Sequence, residues 1–200
     1  IKFFQKEGRN SFQKWLNRMS KYKPIILPIL EEEEVPPELF YLAMIESGLN
    51  PNAYSYAHAS GVWQFIASTG KIYGLKKNWW VDERRDFEKS TRAAARLLKY
   101  LHKEFDDWYL AFAAYNCGSG RVRKTIKRQG TTDYWKLTRL PPQTRNYVPN
   151  IMAAIFIANS PEKYGFALNK EPKMEWNTIN INKAVSLDVI SECAKLDIGL

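Results

Sequence analysis

PPELFYLAMIESGLNPNAYSYAHASGVWQ, residues 36–64, is the segment from which the fold and chemistry of this chain are most readily inferred. Its first half predicts a helix, because proline suits a first turn whose N–H groups have no helical partner, and apolar residues then recur at helical spacing. The helix should end near Gly48, since glycine adopts the left-handed cap conformation and Pro51 cannot continue a helix. Glu46 then lies in the last turn, on the face formed by Leu39, Leu42 and Ala43.

At this position the protonated form of Glu46 is favoured. Burial beside leucine side chains disfavours a charged carboxylate, and the negative end of the helix dipole acts in the same direction. A carboxyl group that keeps its proton near neutral pH is what a general acid requires. The alternative from spacing alone is a solvated cap or salt-bridge partner, which most glutamates near helix ends are.

The composition is that of a globular protein, with 45% hydrophobic and 14% aromatic residues. Two hundred residues suit one domain of moderate size with a small appendage. No run of about 18 apolar residues occurs, so we expect no transmembrane segment. The sequence begins at Ile1 without a signal-peptide pattern, and we expect any targeting segment to have been removed or to lie outside these residues.

The net charge of +9 favours an anionic partner, and both nucleic acid and the carboxylate-rich bacterial wall satisfy this condition. The positive charges are scattered and no nucleic-acid motif accompanies them, so we expect no nucleic-acid binding. Most of these residues should lie on solvated helix faces. The strongest candidate for a basic stripe is one helical face that carries Arg121, Lys124, Lys127 and Arg128.

The cysteine and histidine residues predict no metal site and no cofactor. Cys117 and Cys193 are too few for a disulfide framework, and the sequence leaves open whether they pair or remain free. His58 and His102 are far apart and lie in no metal-binding motif.

The first third of the chain predicts at least three consecutive helices. An apolar stripe over residues 3–19 gives one or two of them, and PIILPIL at 24–30 gives a short buried helix before the one at 36–47. The acidic run Glu31 to Glu34 should form a solvated face.

The middle of the chain alternates loops and helices. Gly61 should open a helix after the irregular connection 50–60, and Gln64 would offer a donor and an acceptor to an amide-bearing sugar if the connection folds back on Glu46. Alternatively, Gln64 caps a neighbouring turn. Residues 73–87 predict a loop with short helical turns.

Two helices should follow this loop. Ser90 is a suitable N-cap for a helix to about Glu104, and Asp106 or Asp107 for a nearly all-apolar helix from 108 to 116. The latter ends in NCGSG, which would place Tyr115 at the mouth of a site, although a core tyrosine is the alternative.

The last third predicts one long helix and then a change of character. Pro141 and Pro142 should introduce a helix to about Asn159, with a kink or break at Pro149. Beyond residue 170, the pattern Trp176, Thr178, Ile179 and Ile181 predicts a strand, and Ser186 should cap a short helix to Leu196.

Three motifs occur in order: ESGLNPNAYSYAHASGVWQF at 46–65, AYNCGSGRV at 114–122 and TRNYVP at 144–149. Together they resemble the lytic transglycosylases of the goose-lysozyme-like superfamily. The Trp-Gln-Phe form at 63–65 and WVDERRDFEKSTRAAARLL at 80–98 are most similar to the membrane-bound lytic transglycosylase D branch. Several ordered motifs are far more specific than one short pattern.

The resemblance implies a mostly α fold, a compact lysozyme-like helical domain with a short βα C-terminal extension. Residues 1–169 would form the catalytic domain with its N-terminal helices, and residues 170–200 a partial βα module similar to the wall-binding repeats of this branch.

The resemblance also implies a lyase that cleaves the β-1,4 bond between N-acetylmuramic acid and N-acetylglucosamine and leaves 1,6-anhydro ends. The partners would be peptidoglycan glycan strands, with no cofactor, and we expect a monomer. The expected location is the periplasm or cell envelope, with membrane anchoring through a segment outside these residues.

Site residues follow from the family match position by position. Glu46 would be the acid and base, Ser47 a polar group beside it, and Tyr147 a hydroxyl near it. Aromatic faces for sugar stacking would come from Trp63, Tyr73 and Tyr147 if these are exposed. The complete expected set of substrate-binding residues is Ser47, Ser55, Trp63, Gln64, Tyr115, Asn116, Gln143 and Tyr147.

Five positions depart from the family pattern. Gln143 stands where related sequences usually have glutamate, so hydrogen bonding is kept and the charge is lost. The other four are His58 for glycine, Val62 for leucine, Ala67 for proline and Cys117 for alanine.

Two other functions remain open at this point. A hydrolytic muramidase would need Asp82, Asp86 or another acid to position water. A non-catalytic wall-binding protein is the alternative from a different class, and Gln143 and Cys117 give it some support.

Overall fold

The computed structural model describes residues 1–169, 171–174 and 180–195. These residues are mostly helical, and their β structure is confined to isolated bridges such as Tyr54 with Ser60 and Lys77 with Asp82. The mostly α prediction is confirmed. The helices are α1 Lys2–Gln5, α2 Arg9–Glu32, α3 Phe40–Ser47, α4 Ala67–Ile72, α5 Phe87–Phe105, α6 Trp108–Cys117, α7 Ser119–Gln129, α8 Pro142–Asn159 and α9 Leu187–Ala194.

The predicted separate helix at residue 24 is wrong, because α2 continues through Pro24 and Pro28 for 24 residues. Each proline removes one helical hydrogen bond and costs about 3 kcal/mol in a helix interior. Eight α2 side chains are buried, and this packing outweighs the cost of the prolines.

The acidic C-terminal end of α2 is more than a solvated face. Glu32 pairs with Arg92, Glu33 with Arg96, and Glu34 with Lys99, all on α5. Each exposed pair contributes little, but the set aligns the end of α2 with α5.

The segment preceding the site folds as predicted. A 3-10 turn, Pro37–Leu39, leads into α3, whose residues 40–44 are all buried. The helix ends at Gly48 in the left-handed conformation (φ 61°). A Cβ at this position would lie 2.1 Å from Nε1 of Trp15, so only glycine fits this end of α3.

The prediction that Gly61 opens a helix is wrong. Residues 61–64 form a turn and α4 begins at Ala67. Gly61 (φ 83°) lies against the backbone at Arg84. The buried guanidinium of Arg84 donates to the carbonyl oxygens of His58 and Phe65, each at 2.8 Å. Tertiary contacts with Arg84 therefore hold residues 58–65 in an irregular path.

The N-cap of α5 is Asp86 rather than Ser90, and its side chain accepts from the backbone N–H of Lys89. Ser90 is buried in the first turn, where its hydroxyl donates to the Asp86 carbonyl oxygen. The predicted cap of α6 is confirmed, since Asp107 accepts from the N–H of Leu110 at 2.8 Å. Residues 110–114 of α6 are buried at the centre of the domain.

The long helix α8 has the predicted bounds and contains Pro149. Its start is held by Tyr134, whose hydroxyl donates to the carbonyl oxygens of Thr144 and Arg145. Both cysteines, Cys117 and Cys193, are free.

The predicted C-terminal strand lies largely outside the described residues, as does Leu196. Ser186 is the N-cap of α9, as predicted, and accepts from the N–H of Val189. In the described parts of the chain, no helix is both long and apolar enough to cross a bilayer.

Candidate active site

Glu46 lies in the last turn of α3 and its side chain is partly exposed. Its Oε1 accepts a short hydrogen bond from the hydroxyl of Tyr147 on α8. Burial raises the pKa of Glu46 to about 7, although the Tyr147 hydroxyl acts in the opposite direction by stabilising the carboxylate. This carboxyl group can therefore donate and accept a proton near neutral pH.

Two tyrosines from different helices lie beside Glu46. Tyr147 on α8 is buried, and Tyr115 on α6 donates from its hydroxyl to the carbonyl oxygen of Trp63 at 2.7 Å. Burial, and next the charge of Glu46, raise the pKa of both phenols well above the usual value. Both tyrosines therefore stay protonated and act as hydrogen-bond donors.

Ser47 connects the end of α3 to the turn at residues 61–64. Its hydroxyl donates to the carbonyl oxygen of Val62 at 2.8 Å and accepts from the N–H of Asn50 at 3.2 Å. Ser47 is thus a positioning residue here, because it fixes the turn relative to Glu46.

Asn116 and the start of α8 form another part of the site. The hydroxyl of Thr144 donates to Oδ1 of Asn116 at 2.8 Å. This contact orients the amide so that Nδ2 can act as a donor. Gln143, the preceding residue, is exposed in the first turn of α8.

Trp63 is not a sugar-stacking surface in this structure, which corrects the sequence-based expectation. Its side chain is completely buried, and its indole Nε1 donates to Oγ1 of Thr91 at 2.9 Å. The ring of Trp63 packs in the core. Sequence alone does not distinguish a core aromatic ring from one that binds a ligand.

Three other predicted residues have clear structural roles. Gln64 (φ 51°) donates from Nε2 to the carbonyl oxygens of Gly61 and Ala53, at 2.8 and 3.2 Å, so it caps the turn. Ser55 closes the preceding loop by accepting from the N–H of Ala59 at 3.1 Å. Tyr73 packs partly buried against the core.

The acids considered for a hydrolytic mechanism are already engaged. Both oxygens of Asp82 accept from Arg84, and Asp86 caps α5. In the described part of the chain, no carboxylate contributes to the raised pKa of Glu46, which arises from burial.

Three functional features were not predicted from sequence. The carbonyl oxygens of Val62 and Trp63 anchor Ser47 and Tyr115, and Thr144 orients Asn116. Backbone acceptors leave no sequence signal, whereas Thr144 was visible within the TRNYVP motif. Arg84, which holds the loop, was visible only as part of a charged run.

This is a helical domain with one protonatable carboxyl group at a helix end and two tyrosines beside it. A family model described as the transglycosylase SLT domain matches residues 24–138, more than half of the chain, and the chain therefore belongs to this family. The resemblance inferred from the motifs is confirmed.

Among individual proteins, the chain is 37% identical over 188 residues to membrane-bound lytic murein transglycosylase D of Escherichia coli strain K12. The match covers 91% of this chain and 41% of that protein, so the chain spans about two fifths of the relative's length. It is also 29% identical over 120 residues to a soluble lytic murein transglycosylase of Salmonella typhimurium, covering 56% of this chain and 19% of that protein.

Solved structures show the same lysozyme-like helical fold. The 70 kDa soluble lytic transglycosylase of Escherichia coli superimposes with a TM-score of 0.59 at 25% identity, covering 72% of this chain and 25% of that one. An inactive variant of lytic transglycosylase Slt from Pseudomonas aeruginosa gives a TM-score of 0.59 at 23% identity, over 76% and 25% of the two chains.

Proposed function

We propose that this chain is the glycan-cleaving part of a peptidoglycan lytic transglycosylase, with Glu46 as both general acid and general base. The observation that carries the proposal is the carboxyl group of Glu46, partly exposed, with a pKa of about 7 and a hydrogen bond from Tyr147. Family membership supports the reaction type, and one carboxyl group suffices for it.

The reaction needs two proton transfers at one residue. Protonated Glu46 gives its proton to the glycosidic oxygen, and the bond between this oxygen and C1 of N-acetylmuramic acid breaks. The resulting carboxylate then takes the proton of the C6 hydroxyl of the same sugar, whose oxygen bonds to C1. The products are a free N-acetylglucosamine 4-hydroxyl and a 1,6-anhydro ring, and Glu46 is protonated again. No water is consumed.

The neighbouring side chains have distinct proposed roles. Tyr147 stabilises the carboxylate form of Glu46 between the two proton transfers, through its hydrogen bond to Oε1. Asn116 donates from Nδ2 to the sugar, and Gln143 contacts the substrate from the exposed start of α8. Gln64 and Tyr115 shape the site through the backbone they hold.

Hydrolysis is disfavoured because the two acids considered for it are already engaged in other contacts. Glycosidases commonly use a second carboxylate as nucleophile or to activate water. Asp82 is held by Arg84, and Asp86 by the first turn of α5. In the proposed reaction no second carboxylate is needed, because the C6 hydroxyl of the substrate itself attacks C1.

The proposed substrate is the glycan strand of peptidoglycan, and the proposed location is the periplasm or cell envelope. The relative of this chain from Escherichia coli is named as membrane-bound. We propose that the catalytic unit acts as a monomer without a cofactor.

The test is digestion of purified sacculi followed by mass spectrometry of the released fragments. We expect muropeptides whose reducing ends are lighter by one water than hydrolysis products. The matched control is Glu46→Gln, which should release no fragment. Products with ordinary reducing ends would identify a muramidase, and binding without any release by the wild type would identify a wall-binding protein.

A further inference from the structure

The positive charge of the chain is concentrated in one segment. Residues 108–161 contain eight lysine and arginine residues and a single acid, Asp133, so this segment carries most of the net charge of +9. The same segment supplies Tyr115, Asn116 and Tyr147 to the site. A charge distribution of this kind attracts anions to one side of a protein.

Most of these cations form no ion pair with another described residue. Arg123 pairs with Glu104, and Lys136 with Asp133. By contrast, three cations of α5 (Arg92, Arg96 and Lys99) pair with the acidic end of α2. Six exposed cations are without an ion pair among the described residues, and we call them the basic surface: Arg121, Lys124, Lys127, Arg128, Arg139 and Arg145.

The basic surface begins at the site and extends away from it. Arg121 lies in the first turn of α7, close in sequence to Asn116, and Arg145 follows Thr144, which contacts Asn116. The other end of α7 is joined to Arg139, whose N–H donates to Oε1 of Gln129 at 3.0 Å. The 11 residues of α7 span about 16 Å.

We propose that the basic surface binds the carboxylates of the stem peptides on the same glycan strand that is cleaved at Glu46, an inference that rests on the proposed function. Each muramic acid carries a peptide with several carboxylates, which leaves the sugar at its lactyl group. Four extended residues span about 13 Å, which is close to the length of α7. The geometry therefore lets cations follow the peptide outward from the sugar.

This inference predicts a substrate preference. Peptide-bearing strands should bind more tightly than strands from which the peptides have been removed. Since the interaction is between exposed charges, it should weaken as salt is added. The anionic headgroups of a lipid bilayer are a different source of negative charge, and the experiment separates them from stem peptides.

The test compares two triple variants with the wild type. Lys124→Gln, Lys127→Gln and Arg128→Gln together remove three charges of the basic surface without touching the site. The control, Lys2→Gln, Lys6→Gln and Lys14→Gln, removes three exposed charges from the N-terminal segment. KM and kcat are measured on peptide-bearing strands and on the same strands after amidase treatment, at low and high salt.

We expect the basic-surface variant to raise KM on peptide-bearing strands about three- to tenfold at low salt, with unchanged kcat. KM on stripped strands should not change, and the control should behave as the wild type. An equal rise on both substrates, or none on either, would overturn the inference. Loss of binding to vesicles containing phosphatidylglycerol, with wild-type KM retained, would overturn it in favour of a lipid partner.

A binding measurement makes the inference independent of turnover. Co-sedimentation of the inactive Glu46→Gln variant with peptide-bearing and stripped strands gives the two affinities directly. If the wild type cleaves neither substrate, the proposed function fails, whereas a preference for peptide-bearing strands that requires the basic surface would still stand. Equal affinities for both strands would refute stem-peptide recognition whatever the activity.

Discussion

The proton on Glu46 governs the pH range in which the proposed enzyme should work. Burial raises its pKa to about 7 and the Tyr147 hydroxyl lowers it, so the acid form is present below neutral pH. We expect kcat/KM to fall as the pH rises through about 7. In Tyr147→Phe the hydrogen bond that stabilises the carboxylate is lost, so the fall in kcat/KM, the alkaline limb of the pH profile, should move to higher pH.

Tyr41→Phe is the matched control for this pH profile. Tyr41 lies on α3, the helix that carries Glu46, and its hydroxyl, like that of Tyr147, makes one side-chain hydrogen bond, to Asn159 at 3.2 Å. The alkaline limb of the Tyr41→Phe profile should coincide with that of the wild type. A Tyr147→Phe limb that moves to lower pH, or a wild-type profile without ionisation above about 5, would contradict the assignment of Glu46.

Glu46 should also make folding stability depend on pH. Its pKa is 4.5 in the unfolded chain and about 7 in the fold, so the unfolded chain loses its proton first as the pH rises. Stability is therefore lost between these two values and is fully present below 4.5. Glu46→Gln should be more stable than the wild type by about 1 to 3 kcal/mol at pH 8.5, relative to their difference at pH 4. Urea unfolding at both pH values measures this, and a difference independent of pH would contradict the raised pKa of Glu46.

The chemistry of a single residue was predictable from sequence where it depends on that residue's own side chain and its position in a helix or motif. Glu46 was found from its helix position, and Tyr147 was expected beside it from the family motif. The burial of Trp63 was not predicted and the role of Gln64 was left open between a sugar contact and a turn cap, because whether a side chain faces the core or a ligand depends on elements distant in sequence. The hydrogen bonds of Trp63 to Thr91 and of Gln64 to Ala53 are such tertiary facts.

At the scale of elements, the turn before α4 depends on a close backbone approach. A Cβ on Gly61 would lie 1.8 Å from the carbonyl oxygen of Arg84, whereas Gly74, with nearly the same φ (84°), has no neighbouring atom within 4 Å. We expect Gly61→Ala to cost about 3 kcal/mol or more and Gly74→Ala about 1 kcal/mol. Thermal or urea unfolding gives both values. Equal losses of stability in Gly61→Ala and Gly74→Ala would mean that the backbone at Arg84 moves away freely.

The start of α4 should accept the proline that related sequences usually have. Ala67 is the exposed first residue of this helix, and Ile66 before it is extended, with ψ of 150°. This geometry suits proline, so Ala67→Pro should stabilise the fold by about 0.4 to 1 kcal/mol. The control Lys71→Pro, inside the same helix, should cost about 3 kcal/mol. A lower melting temperature for Ala67→Pro would show that its N–H is needed.

Helix boundaries were predictable where local signals and burial agree. The bounds of α8 and the cap of α6 follow from proline and aspartate at fixed positions. The prolines of α2 and the glycine at 61 led to wrong helix boundaries, because packing overrode local preference. Buried side chains keep α2 continuous through its prolines, and contacts with Arg84 hold the chain at Gly61 in a turn. Ser90 failed as a cap because Asp86 occupies that role one turn earlier.

At the scale of the whole molecule, the site is assembled from three distant helices. α3 supplies Glu46, α6 supplies Tyr115 and α8 supplies Tyr147. Hydrogen bonds of Tyr115 to Trp63 and of Tyr147 to Glu46 join these parts across 52 and 101 positions of sequence. Consequently, activity should depend on the integrity of the entire helical domain.

The segment after α8 belongs to this domain by its contacts. Phe166 is buried with its ring 5.4 Å from that of Phe12, and the guanidinium of Arg9 lies over it. The carbonyl oxygen of Glu171 accepts from the hydroxyl of Ser20 at 2.8 Å. We propose that the catalytic unit extends to Met174, which packs against the core.

Truncation tests this boundary. A chain ending after Met174 should keep the melting temperature and the sacculus-digesting activity of the full chain, because its helical core is complete. A chain ending after Ser160 should lose about 3 kcal/mol or more, since it lacks Phe166 and exposes Phe12. Phe166→Ala in the full chain is the control for the loss of the ring alone. If residues 1–160 are as stable as the full chain, the segment merely lies on the surface; if residues 1–174 unfold, the remaining residues are part of the same cooperative unit.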